Sequence, residues 1–164
     1  MSGTDGTSPE RRLADLGITL PPARTASGAY DTVVVSGDLA VLSGHGPVRP
    51  GHPLPTGKLG AELSVPDGQA AVRQATLNLL ATLRAAAGSL DDVEQLLTLT
   101  VAINATPGFT EHVPVADTAS ELLRDVFGDR GRHARSALGH SSLPFDVPVS
   151  LSLTARIRVR NTQD

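Results

Sequence analysis

The feature that most constrains this chain lies near its C-terminus. From position 147 to 159 every odd residue is apolar (Val147, Val149, Leu151, Leu153, Ala155, Ile157, Val159), while the even ones are Pro148, Ser150, Ser152, Thr154, Arg156 and Arg158. Successive side chains of a strand point to opposite faces, so this segment reads as a long strand with one apolar and one hydroxyl-rich face. A second alternation runs from Leu97 to Ile103, with Leu97, Leu99, Val101 and Ile103 on the apolar side and Thr98, Thr100 and Ala102 on the other. Pro107 and Gly108 end it. Such strands need apolar cover on one face only.

That cover is legible in between. Ser64 with Asp67 forms a capping-box pattern, Asp replacing the usual Glu, and Val72, Ala75, Leu79, Leu83 and Ala86 then recur at helical spacing until Gly88. A second helix of about four turns fits Val113 to Phe127, burying Val115, Ala119, Leu122, Leu123 and Val126, with Gly128 closing it. Near the start, Ser8-Pro9-Glu10 supplies an N-cap, a proline at the first helical position and an acid in the first turn. This short helix runs to Gly17, with Leu13 and Leu16 as its buried side. VVVSGDLAVLSG reads as two strands joined around Gly37-Asp38. The stretch from Gly44 to Gly60 holds five glycines and four prolines and reads as a loop. These elements predict an α+β layer with both long helices on one sheet face. The opposite face, with Thr98, Thr100, Ser150, Ser152 and Thr154, is too polar for a core and suits a subunit interface or a ligand-lined cleft. One domain over residues 8–160 is expected, with tails at 1–7 and 161–164.

Composition removes several classes of function. There is no cysteine, which closes thiol catalysis and cysteinyl metal sites. Fourteen basic against seventeen acidic side chains leave a net charge of −3, and only Tyr30, Phe109, Phe127 and Phe145 are aromatic. Both facts argue against nucleic acid as the main partner. No apolar run approaches the ~20 residues of a membrane span, and the polar start lacks a signal-peptide core. A protein of the cytoplasm without a membrane partner is expected. Gly51 to Lys58 departs from a phosphate loop, since five residues separate the glycines and Leu59 stands where the metal-binding hydroxyl belongs. The histidines form no H-x-x-x-H pair, so no metal and no cofactor are expected, and no G-x-S-x-G elbow is present.

What remains is a set of isolated polar groups: Tyr30, Ser43, His45 and Arg135. The guanidinium of Arg135, in HARSALGH, suits a carboxylate or phosphate, either of a ligand or of this chain's own acidic residues. Tyr30 fits a cleft or a core position, and Ser43 a cleft or a strand-ending turn.

Gly28-Ala29-Tyr30 before a strand, Leu42-Ser43-Gly44 ending the next, the helix after Gly60, and Arg135-Ser136 followed by Leu143-Pro144 resemble the reactive intermediate deaminase family, also called Rid or YjgF. The resemblance spans roughly residues 20 to 160. SPERRLADLGITLPP and GRHARSALG resemble one branch with an extra N-terminal helix. It implies a chorismate-mutase-like fold, a homotrimer, and clefts between subunits that bind a small carboxylate-bearing metabolite. In active members a 2-imino acid is hydrolysed to a 2-keto acid and ammonia. By the same resemblance Arg135 grips the carboxylate, backbone beside it at Ala137 holds the imine, and Tyr30, Ser43 and Gly44 line the cleft. An endoribonuclease activity is ascribed to some relatives. The chain departs from the pattern at one point: counting from Arg135 through Leu143-Pro144, Ser150 holds the place of the glutamate that assists water. A hydroxyl does not ionise near neutral pH and cannot replace a carboxylate base. His45 and His140 are the nearby groups that titrate around neutrality and could take over that role. A non-catalytic binding trimer that kept the arginine and lost the base, or a pathway-specific biosynthetic enzyme with altered chemistry, is the alternative.

Overall fold

The computed structural model describes residues 7–159. Of the expected tails, residues 1–6 and 161–164 lie outside them. Three helices and five strands follow in the order α1 (Pro9–Asp15), β1 (Val33–Ser36), β2 (Leu39–His45), α2 (Val65–Ala87), β3 (Val93–Asn104), α3 (His112–Phe127), β4 (Ala134–His140) and β5 (Val149–Ile157). The strands form one sheet in the order β1-β2-β5-β3-β4, antiparallel except for the parallel β3–β4 pair.

The helices begin and end where local chemistry dictates. In α2 the Ser64 side chain accepts from the Asp67 amide and the Asp67 carboxylate accepts from the Ser64 amide, closing both bonds of the capping box. At the far end Gly88 takes a left-handed conformation, φ 87°, that a side chain would oppose. Ser8 caps α1, and Glu10 serves less as a first-turn acid than as an anchor. Its carboxylate takes the Arg84 guanidinium in a fork (3.0 and 2.7 Å) and also the Leu90 amide.

Leu42, Leu153 and Leu99 lie on one cross-strand row and are each at most 2% exposed beneath the helices. Val72, Ala75, Leu79 and Leu83 of α2 and Val115, Ala119, Leu123 and Val126 of α3 close the core over them. The other face carries Val34, Val41, Thr154, Thr98 and Ala134 across its width, then Ser152, Thr100 and Ser136. Among the described residues Val34 and Val41 on this face are about half exposed (55% and 48%).

Three expected core positions are corrected. Leu97 is only half-buried because the β3–β5 register shifts between Leu96 and Thr98. One extra residue on a strand flips the alternation, so Leu96 turns into the core in its place. Leu16 is 47% exposed because α1 ends at Asp15 and Leu16 lies at the C-cap, past the turn that carries Leu13. Val159 is 56% exposed since β5 stops at Ile157.

Candidate functional site

A cavity of about 530 Å³ opens at the end of β2 and β5. Gly44, His45 and Ser150 form its floor, the segment from Arg24 to Thr32 one wall, and the turn at Pro144-Phe145 the other. The floor is built by a second irregularity. Leu42 pairs with Leu153 but His45, not residue 44, pairs with Leu151. The extra residue at Ser43-Gly44 turns His45 toward the helices and leaves Gly44 facing Ser150. A Cβ at position 44 would lie 2.7 Å from the Ser150 Oγ, so any larger residue there would displace that hydroxyl from its place between the strands.

His45 is 4% exposed, and both ring nitrogens are committed. One, Nδ1, lies 2.7 Å from the Ser43 carbonyl and the other, Nε2, 2.8 Å from the Thr82 hydroxyl. The carbonyl can only accept, so Nδ1 carries the proton and Nε2 accepts from Thr82. Burial pushes the imidazole below its ordinary pKa, the Ser43 carbonyl pulls it back, and the Arg24 charge adds to the lowering. The ring is a neutral strut between sheet and α2. Tyr30 stands at the rim, 49% exposed, with its hydroxyl 3.1 Å from the Ser27 Oγ. Hydrogen bonds from the Ser27 side chain, then its backbone amide, hold the phenol below its usual pKa, with Arg24 contributing in the same direction. Ser43 is absent from the cavity lining. Its hydroxyl and amide both donate to the Thr32 carbonyl, pinning the wall segment to β2.

The wall at Phe145 is held by residues the sequence reading passed over. Phe145 and Asp146 both have positive φ (58° and 55°), a conformation that costs energy outside glycine. Asn104, fully buried, fixes the turn by donating to the Asp146 carboxylate (3.0 Å) and to the Gly57 carbonyl. Lys58 in turn donates to the Asn104 side chain (2.6 Å) and to the Ser141 carbonyl. The glycine- and proline-rich loop, β3 and the turn before β5 are thereby tied at one point. Phe145 itself is 70% exposed at the cavity mouth.

Arg135, Ala137 and His140 lie elsewhere, on the edge strand β4. Arg135 continues the Leu42–Leu153–Leu99 row, three strand spacings and about 14 Å from β2. It therefore projects on the helix side, where its Nη1 donates to Asp117 (2.7 Å) and to Ser120 (3.1 Å) of α3. The Ser120 hydroxyl also meets His133 Nε2 at 2.9 Å, with His133 Nδ1 on the Gly131 carbonyl. The guanidinium is 20% exposed, and its Nε and Nη2 have no partner among the described residues. Ala137 is half-buried against the core, and His140 is exposed at the end of β4. Within one chain, the structure thus brings Tyr30, Gly44, His45 and Ser150 together and leaves Arg135, Ala137 and His140 apart from them. Among the described residues no cluster of His, Asp or Glu is arranged to hold a metal.

Comparison with known proteins places this architecture. A family model described as "YjgF/chorismate_mutase-like, putative endoribonuclease" matches residues 10–157. Protein TCP17 of Trypanosoma cruzi is 42% identical over 140 residues, covering 85% of this chain and 88% of that protein. The chain belongs to the Rid/YjgF family. Among solved structures, a "putative endoribonuclease" from Shewanella oneidensis superposes with a TM-score of 0.87 at 35% identity, over 92% of this chain and 99% of that one. A protein of unknown function from Agrobacterium tumefaciens superposes with a TM-score of 0.82, also at 35% identity, over 92% of each chain. Membership fixes the fold as YjgF/chorismate-mutase-like, and no helix among the described residues is long and apolar enough to cross a membrane.

Proposed function

We propose that the protein binds small 2-imino and 2-oxo carboxylates in a cleft completed by a neighbouring copy of the chain, and that any imine hydrolysis there runs without a carboxylate base. The observation that carries this reading is the division of the family's site residues between two places. The cavity at Gly44 and Ser150 has room for a metabolite but no Asp or Glu in its lining. Arg135, on the edge strand β4, keeps Nε and Nη2 without a partner among the described residues, the edge of a guanidinium that takes a carboxylate bidentately. A homotrimer, which the resemblance implies, would bring the cavity of one copy to the β4 edge of the next, covering the half-exposed Val34, Val41 and Leu138 face as it does so.

In that cleft water oxygen attacks the imine carbon and the C=N pair moves to nitrogen, giving a carbinolamine. Proton transfer to nitrogen and cleavage of the C–N bond then release ammonia and leave the 2-oxo acid. Ser150 can orient the water by hydrogen bonding but cannot take its proton, and the missing base is worth about 10²- to 10⁴-fold. His45 does not supply it, because both its nitrogens are engaged in holding β2 to α2. The endoribonuclease description is not carried over. A net charge of −3 offers no field for a phosphate backbone, and of the four aromatics only Tyr30 and Phe145 are exposed.

Calorimetry with 2-oxobutyrate, beside a coupled amino-acid-oxidase assay on 2-iminobutyrate, tests the reading. Saturable binding with hydrolysis close to the spontaneous rate is expected. Absence of binding would refute the ligand class, and rapid hydrolysis would refute the role given to Ser150.

A further inference from the structure

The cavity contains a cation that neither the family pattern nor the loss of the glutamate explains. Arg24 lines it, on the wall opposite Pro144-Phe145, and makes no hydrogen bond or ion pair with any described residue. The remaining lining is uncharged: hydroxyls of Thr25, Ser27, Tyr30, Thr32 and Ser150, the neutral His45, and apolar groups such as Val48 and Leu54. The Arg24 charge is felt by two groups of the cavity, the Tyr30 phenol at the rim and the His45 ring at the floor. The segment that carries it is fixed to β2 through the Thr32 carbonyl and the Ser43 amide and hydroxyl. An unpaired guanidinium beside an otherwise uncharged hollow is a site for an anion.

We propose that Arg24 binds a second anionic group of the ligand, so that the preferred ligands are 2-imino and 2-oxo dicarboxylates rather than monocarboxylates. The inference rests on the reading above, in which Arg135 of a neighbouring copy takes the carboxylate next to the reacting carbon. That arginine accounts for one charge of the ligand, and Arg24, in the cavity lining, accounts for another. One guanidinium flanked by neutral hydroxyls balances a carboxylate's single charge. A phosphate, at about −1.5 to −2 and with three strong acceptor oxygens, calls for more cationic donors than this wall holds. The about 530 Å³ of the cavity leaves space for the extra carbons of a dicarboxylate between Ser150 and Arg24.

The test is calorimetric titration of the purified full chain with 2-oxobutyrate and with 2-oxoglutarate, repeated on Arg24→Gln and Arg24→Lys. Wild type should bind 2-oxoglutarate about tenfold more tightly, the low end for a charge-assisted pair that stays partly solvated. In Arg24→Gln the ratio of the two affinities should fall to about one, and Arg24→Lys should retain part of it. Arg24 is exposed and contributes nothing to the core, so the variants should melt with wild type. A wild type that binds both acids equally, or an Arg24→Gln protein that keeps the preference, overturns this inference and leaves the proposed function standing. A wild type that binds neither acid overturns both.

Discussion

Two places in this chain hold the residues that the proposed function assigns to one site, and they differ in kind. At the β1–β2 side there is space without committed charge: a hollow floored by Gly44 and Ser150, walled by an unpaired Arg24 and a strained Phe145 turn. At the β4 side there is charge apart from that hollow. Arg135 lies against α3, its Nη1 donating to Asp117 and Ser120, and it is not among the residues that line the cavity. Asp117 holds the guanidinium through one nitrogen, and Nε and Nη2 keep no partner among the described residues.

The largest effect should come from breaking the charged edge. Arg135→Lys keeps the charge but loses the fork, and the affinity for 2-oxobutyrate should fall by about 2 to 5 kcal/mol. Calorimetry on a variant with an unchanged melting temperature reads this directly; equal binding would remove Arg135 from the site. The hollow edge should respond next. Ser150→Glu places a carboxylate on the cavity floor and should raise 2-iminobutyrate hydrolysis about 10²-fold. A folded Ser150→Glu protein no faster than the spontaneous reaction would mean that the hollow serves a different ligand.

The smallest effect is on stability and separates strut from base. His45 is buried neutral, so its folded pKa lies below the ordinary 6.5. The unfolded chain then binds more protons than the folded one as pH drops. The stability that His45 contributes is fully present above about pH 6.5 and is lost as pH falls through that value toward the folded pKa. His133, half-buried with its pKa also lowered by burial, adds a loss of the same sign. Urea midpoints should therefore decline from pH 7.5 to 5.5, and His45→Gln should flatten part of that slope. An unchanged slope would contradict the strut.

What the sequence disclosed and what it concealed follow from the range of the interactions. The caps of α2, the alternation of β5 and the helical repeats of α2 and α3 depend on neighbours a few residues away, and each is readable. The two bulges depend on register between strands far apart in the chain. Strict alternation therefore misplaces Leu97, and it gives no sign that the irregularity at Ser43-Gly44 turns His45 toward the helices and into contact with Thr82. The same limit applies to Asp117 and to the Asn104–Asp146–Lys58 tie, whose partners are 18 to 46 positions apart. Arg24 was within reach: a cation in a proline-bounded segment just before Tyr30 is visible in the sequence, though its lack of a partner is not.

The central claim is that one cleft draws on two chains, and mixing two defective proteins tests it most directly. Arg135→Ala damages only the charged edge, and Gly44→Val, whose side chain meets Ser150, damages only the hollow. Neither variant alone should bind 2-oxobutyrate. After co-refolding in equal amounts, with mixed oligomers verified by native mass spectrometry, about a quarter of the clefts in a closed ring should combine two intact halves and bind with wild-type affinity. Mixed oligomers without any recovered binding, or a wild type that binds as a monomer, would contradict the shared cleft.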